Sequence, residues 1–113
     1  MINGGHIIIY SKNAEADRAF MRDVLKFGYV DVHGGWLIFK LPPSEVAVHP
    51  SDENDMHELH LMTDDLDVEI RTLQKAGTEF EAITQQNWGR STRIKLPGGG
   101  TLGLYQPRHA RPE

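Results

Sequence analysis

The sequence predicts an α+β fold: two βαβββ modules forming a curved mixed sheet, or cup, with the helices packed outside. Three observations point there. The stretch "IFKLPPSEVAVHP" (38–50) says nearly the same as "RIKLPGGGTLGLYQP" (93–107). Upstream, "HIIIYSKNAEA" (6–16) aligns with "ELHLMTDDLDV" (58–68). Within both pairs, apolar and polar residues alternate as they do along strands. Phe39-Lys40-Leu41-Pro42 falls on Ile94-Lys95-Leu96-Pro97, and Val46-Ala47-Val48-His49 on Leu102-Gly103-Leu104-Tyr105, with the drift in offset confined to loops. A unit repeated twice is the economical reading. At 113 residues the chain makes one domain, 1–113, with modules at 5–50 and 57–107.

Each element follows in order. "HIIIY" (6–10) and "ELHLM" (58–62) read as opening strands, being rich in β-branched and apolar residues. Each then meets a helix start, Asn13 before "AEADRAF" and Asp64-Asp65 before "LDVEIRTL". Ala16, Phe20, Val24 and Phe27 carry helical spacing in the first helix, as do Leu66, Ile70 and Leu73 in the second. Gly28 and Gly77 are the expected stops. Three short strands then complete each half, at 29–33, 35–41 and 45–49 and at 79–84, 91–96 and 101–106. The prolines and glycines at 42–43 and 97–100 turn the last hairpins.

Alternation divides the strand residues between two faces. Ile7, Ile9, Phe39, Leu41, Val46, Val48, Leu59, Leu61, Ile94, Leu96, Leu102 and Leu104 belong against the helices. The other face carries His6, Ile8, Tyr10, Trp36, Ile38, Lys40, Ala47, His49, Glu58, His60, Met62, Arg93, Lys95, Gly103 and Tyr105. A merely solvated face would hold more Thr, Ser, Glu and Lys. Imidazoles, aromatics and two very small residues together suit a face that holds a ligand.

Composition narrows the function. The net charge is −4 and the twelve Lys and Arg are scattered, which argues against a nucleic-acid partner. The chain has no cysteine, which removes disulfides and thiolate chemistry and fits a reducing cytoplasm. The apolar run "IIIY" is too short for a signal segment or a membrane span, so the expectation is a cytoplasmic protein without a membrane partner.

The order and spacing of "GHIIIYSKNAEADRAFMRDVLKFGYV", "ELHLMTDDLDVEIRTLQKAGTEF" and "LPGGGTLGLYQP" resemble the vicinal oxygen chelate superfamily. That group includes glyoxalase I, bleomycin-resistance proteins, fosfomycin-resistance enzymes and extradiol dioxygenases. The resemblance implies a small molecule bound in the cup and a homodimer sharing that cup between chains. It places the family's metal ligands on the first and last strands of each module, at His6, Ala47, Glu58 and Gly103. His6 matches the usual His, Glu58 stands as a candidate ligand where His is common, and Ala47 and Gly103 supply no donor. Two ligands hold a divalent Fe, Mn, Ni or Zn weakly, since catalytic sites use at least three. The cofactor expectation is therefore none, or one weakly held divalent metal. A shifted site using His6, His49, His60 or Tyr105 is chemically suitable, although a two-residue step along a strand is about 6.6 Å.

The candidate ligand-binding residues are Tyr10, Trp36, His49, His60, Arg93 and Tyr105. Trp36, Trp88 and Tyr105 suit stacking on a planar ring, and Arg93 suits an anionic group. Lys40 and Lys95 read as solvent-facing. Glu58 and His60 share a face and form either an acid–base pair with His6 or a hydrogen-bonded cluster. "HELH" (57–60) is no HExxH motif, because on a strand His57 and His60 point to opposite faces. "PGGG" (97–100) is a hairpin turn rather than a phosphate loop. "QQNWGRS" (85–91) reads as a loop with a lid as one role, "SDENDMHE" (51–58) as the linker between modules, and "RHARPE" as a frayed tail.

Three functions remain on sequence grounds. The first is a glyoxalase/bleomycin-resistance/dioxygenase-like protein that binds an aromatic or anionic molecule without a complete metal site, with Gly103 and Ala47 opening floor space. The second is a divalent-metal-dependent lyase or extradiol-type dioxygenase. The third is an accessory domain with a vestigial cup.

Overall fold

A computed structural model describes residues 6–45 and 47–112. The chain runs α1 (Ala14–Asp23), β1 (Tyr29–Asp31), β2 (Leu37–Phe39), β3 (His60–Met62), α2 (Leu66–Gln74), β4 (Glu79–Phe80), β5 (Thr84–Gln86), β6 (Gly89–Lys95) and β7 (Thr101–Pro107). The architecture is α+β: two helices, a mixed five-stranded sheet and a separate β1–β2 hairpin. None of the helices among the described residues is long and apolar enough to cross a membrane.

The second half realises the expected unit. β3 runs parallel to β7, β7 antiparallel to β6, and β4 and β5 both pair with β6, giving the order β3-β7-β6-β4. Helix α2 is the crossover between β3 and the rest of this sheet. Both helix starts fall where expected. Asn13 Oδ1 accepts from the N–H of Ala16 at 3.1 Å, and Asp65 Oδ1 from that of Val68 at 3.1 Å. These are N-cap bonds to a donor that the helix itself leaves unpaired. The N–H of Leu66 goes instead to Gln106 Oε1 at 2.8 Å, fastening α2 to β7. Gly77, at φ 87°, ends α2 as expected. Helix α1 ends earlier than Gly28: its last residue is Asp23, and Lys26 takes the left-handed turn at φ 59°.

One core serves the whole chain. Leu66, Leu73, Ile94, Leu96, Leu102 and Leu104 are buried together with Phe20 of α1, and Leu59, Leu61 and Phe80 pack against them. The polarity division of the second half is thus correct. Helix α1 is tied into the same body by Asp17, 5% exposed, whose Oδ1 accepts from the N–H of Gly98 at 2.8 Å.

The first half departs from expectation. Segment 6–10 forms no strand and its residues are exposed. Residues 45 and 47–49 also carry no strand, Val48 is 94% exposed, and position 46 of that expected strand lies outside the described residues. The two strands that form are shorter than expected, β1 and β2 being three residues each. The reason is local. A strand exists only when a neighbour takes its backbone N–H and C=O groups. Within this chain α1 packs into the second half's core, which leaves the first half no apolar layer to close on.

Candidate functional site

The face of the sheet opposite the core holds the chemistry. Two residue rows cross it. In one, Arg93 of β6 pairs with Gly103 of β7, which pairs with His60 of β3. In the next, Thr84, Ser91, Tyr105 and Met62 stand side by side. These residues face away from the core because their neighbours Leu61, Thr92, Ile94, Leu102 and Leu104 face into it.

Glu58 joins the first row. Its Oε2 is 3.2 Å from His60 Nε2 and its Oε1 is 3.4 Å from Arg93 Nη2. The hydrogen bond from His60, with the Arg93 charge behind it, holds the Glu58 carboxyl below its usual value of 4.5 against the opposing effect of partial burial. Arg93 also reaches Thr101 Oγ1 at 3.4 Å. The guanidinium is therefore already engaged by protein groups.

The sign of a pH effect follows. A carboxyl depressed in the folded state adds stability that is present above its unfolded pKa and is lost as pH falls through the folded value. The expected result is a Glu58 carboxyl titration, read by carbon-13 NMR, with a midpoint below 4.5 that returns toward 4.5 in His60→Ala. An undisplaced midpoint in the native chain would contradict the pairing.

Tyr105 anchors the second row. Its hydroxyl donates to the carbonyl of Trp88 at 2.9 Å, and burial, with the Glu45 charge adding to it, raises its pKa. The ring meets His60 edge-on at 6.4 Å and lies 5.8 Å from His109. His109 Nε2 is 3.6 Å from Glu45 Oε2. The tail is accordingly not frayed over 108–111. The Arg108 N–H donates to the Trp88 carbonyl at 2.7 Å, and Arg111 reaches Asp64 at 3.4 Å. His109 and Glu45 were not legible as site neighbours, since neither sits in a periodic segment.

"QQNWGRS" is likewise no open loop. Gln86 pairs with Gly89, so Asn87 and Trp88 form the two-residue turn of a β5–β6 hairpin. The pocket on this face, of about 140 Å³, is lined by His60, Glu81, Ala82, Thr84, Ser91, Thr92 and Arg93. Thr84 and Ser91 hydroxyls are 3.1 Å apart. A larger groove of about 550 Å³ lies on the other side of the sheet, between α1 and the β4 edge, with Ala16, Ala19, Phe20, Val24 and Leu96 in its wall. Its lining is mainly small and apolar, with Asp23, Glu79 and Lys95 also in it.

The structure brings together Glu58, His60, Arg93 and Tyr105. No side-chain hydrogen bond, ion pair or ring contact links His6, Tyr10, Trp36 or His49 to them. His6 and His49 are exposed, Tyr10 is 91% exposed, and Trp36 lies under the Arg18 guanidinium at 4.5 Å. These four sit on first-half segments, most of which lack their strand partners. Lys40 and Lys95 are exposed, as expected.

Gly103 does not open floor space. A Cβ at that position would run into the imidazole of His60, which occupies the volume. Within this single chain Glu58 is bonded to His60 and Arg93, and position 103 supplies no donor. Among the described residues no group of three or more His, Asp or Glu is gathered as a metal would require.

No family model and no curated protein matches this sequence. Solved structures do. An antibiotic-binding protein from Streptomyces sp. CB03234 is 24% identical, with a TM-score of 0.61 over 91% of this chain and 99% of its own. A glyoxalase/bleomycin resistance protein from the same organism is 26% identical, with a TM-score of 0.57 over 82% and 90%. A lactoylglutathione lyase from Agrobacterium tumefaciens is 19% identical, with a TM-score of 0.61 over 86% and 87%. The sheet order, the two capped helices and these structures agree: the chain has the fold of the glyoxalase/bleomycin resistance/dioxygenase group, the vicinal oxygen chelate superfamily.

Proposed function

We propose that this chain binds a small aromatic or anionic molecule on the polar face of its sheet, without the complete metal site of its superfamily. The observation that carries the reading is the Glu58–His60–Arg93 cluster. It fills the position where the family's last-strand ligand would stand and leaves the face polar, aromatic at Tyr105, and short of metal donors. A protein of this fold, from Streptomyces sp. CB03234, binds an antibiotic, so the fold accommodates the binding reading.

The partner that completes the cup is a second copy of the chain. Ile7, Ile8, Ile9, Tyr29, Val30 and Trp36 are exposed on first-half segments, and segments 6–10 and 47–49 have no ladder. An apolar surface of this kind on a soluble chain marks an interface, and unpaired strand-forming segments seek a neighbouring edge. A cysteine-free chain of this kind suits the cytoplasm.

Elemental analysis of the purified chain, with thermal-shift titrations of Mn, Fe(II), Ni and Zn, tests the reading. The expected result is no stoichiometric metal and no stabilisation by any of the four, with stabilisation by members of a planar aromatic panel. About one metal per chain, lost on His6→Ala or Glu58→Ala, would establish the metal-dependent lyase or dioxygenase instead.

A further inference from the structure

His60 and Gly103 are register partners in the parallel β3–β7 ladder. Gly103 is buried, and a methyl group built on it would clash with the His60 ring, nearest Nδ1. The imidazole thus lies on the Gly103 backbone, in the volume that the Cβ of any other residue would take. At the opposite corner of the ring, Nε2 is 3.2 Å from Glu58 Oε2. An ionised carboxylate only accepts hydrogen bonds, so Nε2 is the donor to Glu58, and in the neutral imidazole Nδ1 is then the unprotonated nitrogen. The other carboxylate oxygen is held by Arg93 at 3.4 Å, which keeps Glu58 from swinging away. A half-turn of the ring would put Cε1 where Nε2 stands and break the bond to Glu58. The Gly103 backbone and the bond to Glu58 together orient the ring.

We infer that His60, seated on Gly103 and oriented by Glu58, presents Nδ1 as the hydrogen-bond acceptor of the ligand face and selects molecules that carry an O–H or N–H donor. A phenolic hydroxyl on a planar ring is the simplest such group. This inference rests on the ligand-binding reading above. The surrounding wall is consistent with it. The Thr84 and Ser91 hydroxyls are bonded to each other, and Arg93 is bonded to Glu58 and Thr101. The Glu81 carboxylate, also on that wall, is exposed and stays solvated. Tyr105, edge-on to the imidazole at 6.4 Å, gives a planar ligand a neighbouring ring.

Calorimetric titration of the full chain with 1-naphthol and with its methyl ether tests this. The hydroxyl compound is expected to bind about fivefold tighter, the worth of one neutral hydrogen bond. The preference should vanish in His60→Ala and in Gly103→Ala, where the new methyl group displaces the ring. Equal binding of both probes by the native chain, or a preference that survives His60→Ala, overturns the inference. Gly103→Ala is expected to lower the thermal midpoint, and the double variant His60→Ala/Gly103→Ala to regain it, because removing the ring frees the volume. An equal loss in both backgrounds overturns the seat. If neither probe binds, the ligand-binding reading fails for planar aromatics, and nitrogen-15 imidazole shifts decide the acceptor separately. A single Nε2–H tautomer at pH 8, lost in Gly103→Ala, supports it; a mixture in the native chain overturns it.

Discussion

Ile94→Ala is expected to lower the unfolding free energy by about 2–5 kcal/mol, and Ile94→Val by about 0.5–1.5 kcal/mol. Ile94 is fully buried, 0% exposed. It stands in mid-strand on β6, opposite Leu102 of β7 on one side and Phe80 of β4 on the other. Because the core among the described residues is drawn from α1, α2 and the second-half strands, a cavity there loosens both helices and the sheet that they pack on. Against a domain stability of about 5–15 kcal/mol the alanine variant is near the edge of folding. Urea denaturation measures the difference. A loss under about 1 kcal/mol would mean that β6 is not the centre of the packing.

The second large effect concerns the first half. Ile8→Glu is expected to convert a dimer into monomers, raising the dissociation constant at least about 100-fold. Ile8 is 62% exposed in the single chain, so a carboxylate there would cost an isolated monomer almost nothing. At an apolar interface the same carboxylate would be desolvated and unpaired, a penalty of several kcal/mol. Sedimentation equilibrium reads it directly. The native chain should sediment at twice its 12.8 kDa mass and the variant at 12.8 kDa. A native chain that is monomeric at tens of micromolar would leave the exposed isoleucines without that explanation.

The two halves differ in how far their structure was legible. In the second, alternation placed Leu59, Leu61, Ile94, Leu96, Leu102 and Leu104 on the core side, and the structure buries or half-buries all six. Short polar caps were equally readable, because Asn13 and Asp65 act on a donor three residues ahead, a purely local relation. In the first half "HIIIY" carries the same strand signal, yet a strand also needs a partner, and partners are not encoded in local pattern. Extrapolating by repeat symmetry therefore overstated what one chain closes by itself.

At the site, parity placed Glu58, His60, Arg93 and Tyr105 on one face. It did not give the register, and register decides that His60 lies over Gly103. A glycine that reads in sequence as a missing ligand is in space the seat of an imidazole. His109 was the least legible, since its place against Tyr105 depends on the tail folding back over the sheet.

Ligands are expected on the polar face of the β3-β7-β6 sheet. Amide chemical-shift mapping during titration with a stabilising aromatic compound tests it most directly. The largest shifts are expected at His60, Ser91, Arg93, Gly103 and Tyr105. Shifts centred instead on Ala16, Ala19, Ala76 and Leu96, in the groove between the helices and the β4 edge, would contradict it.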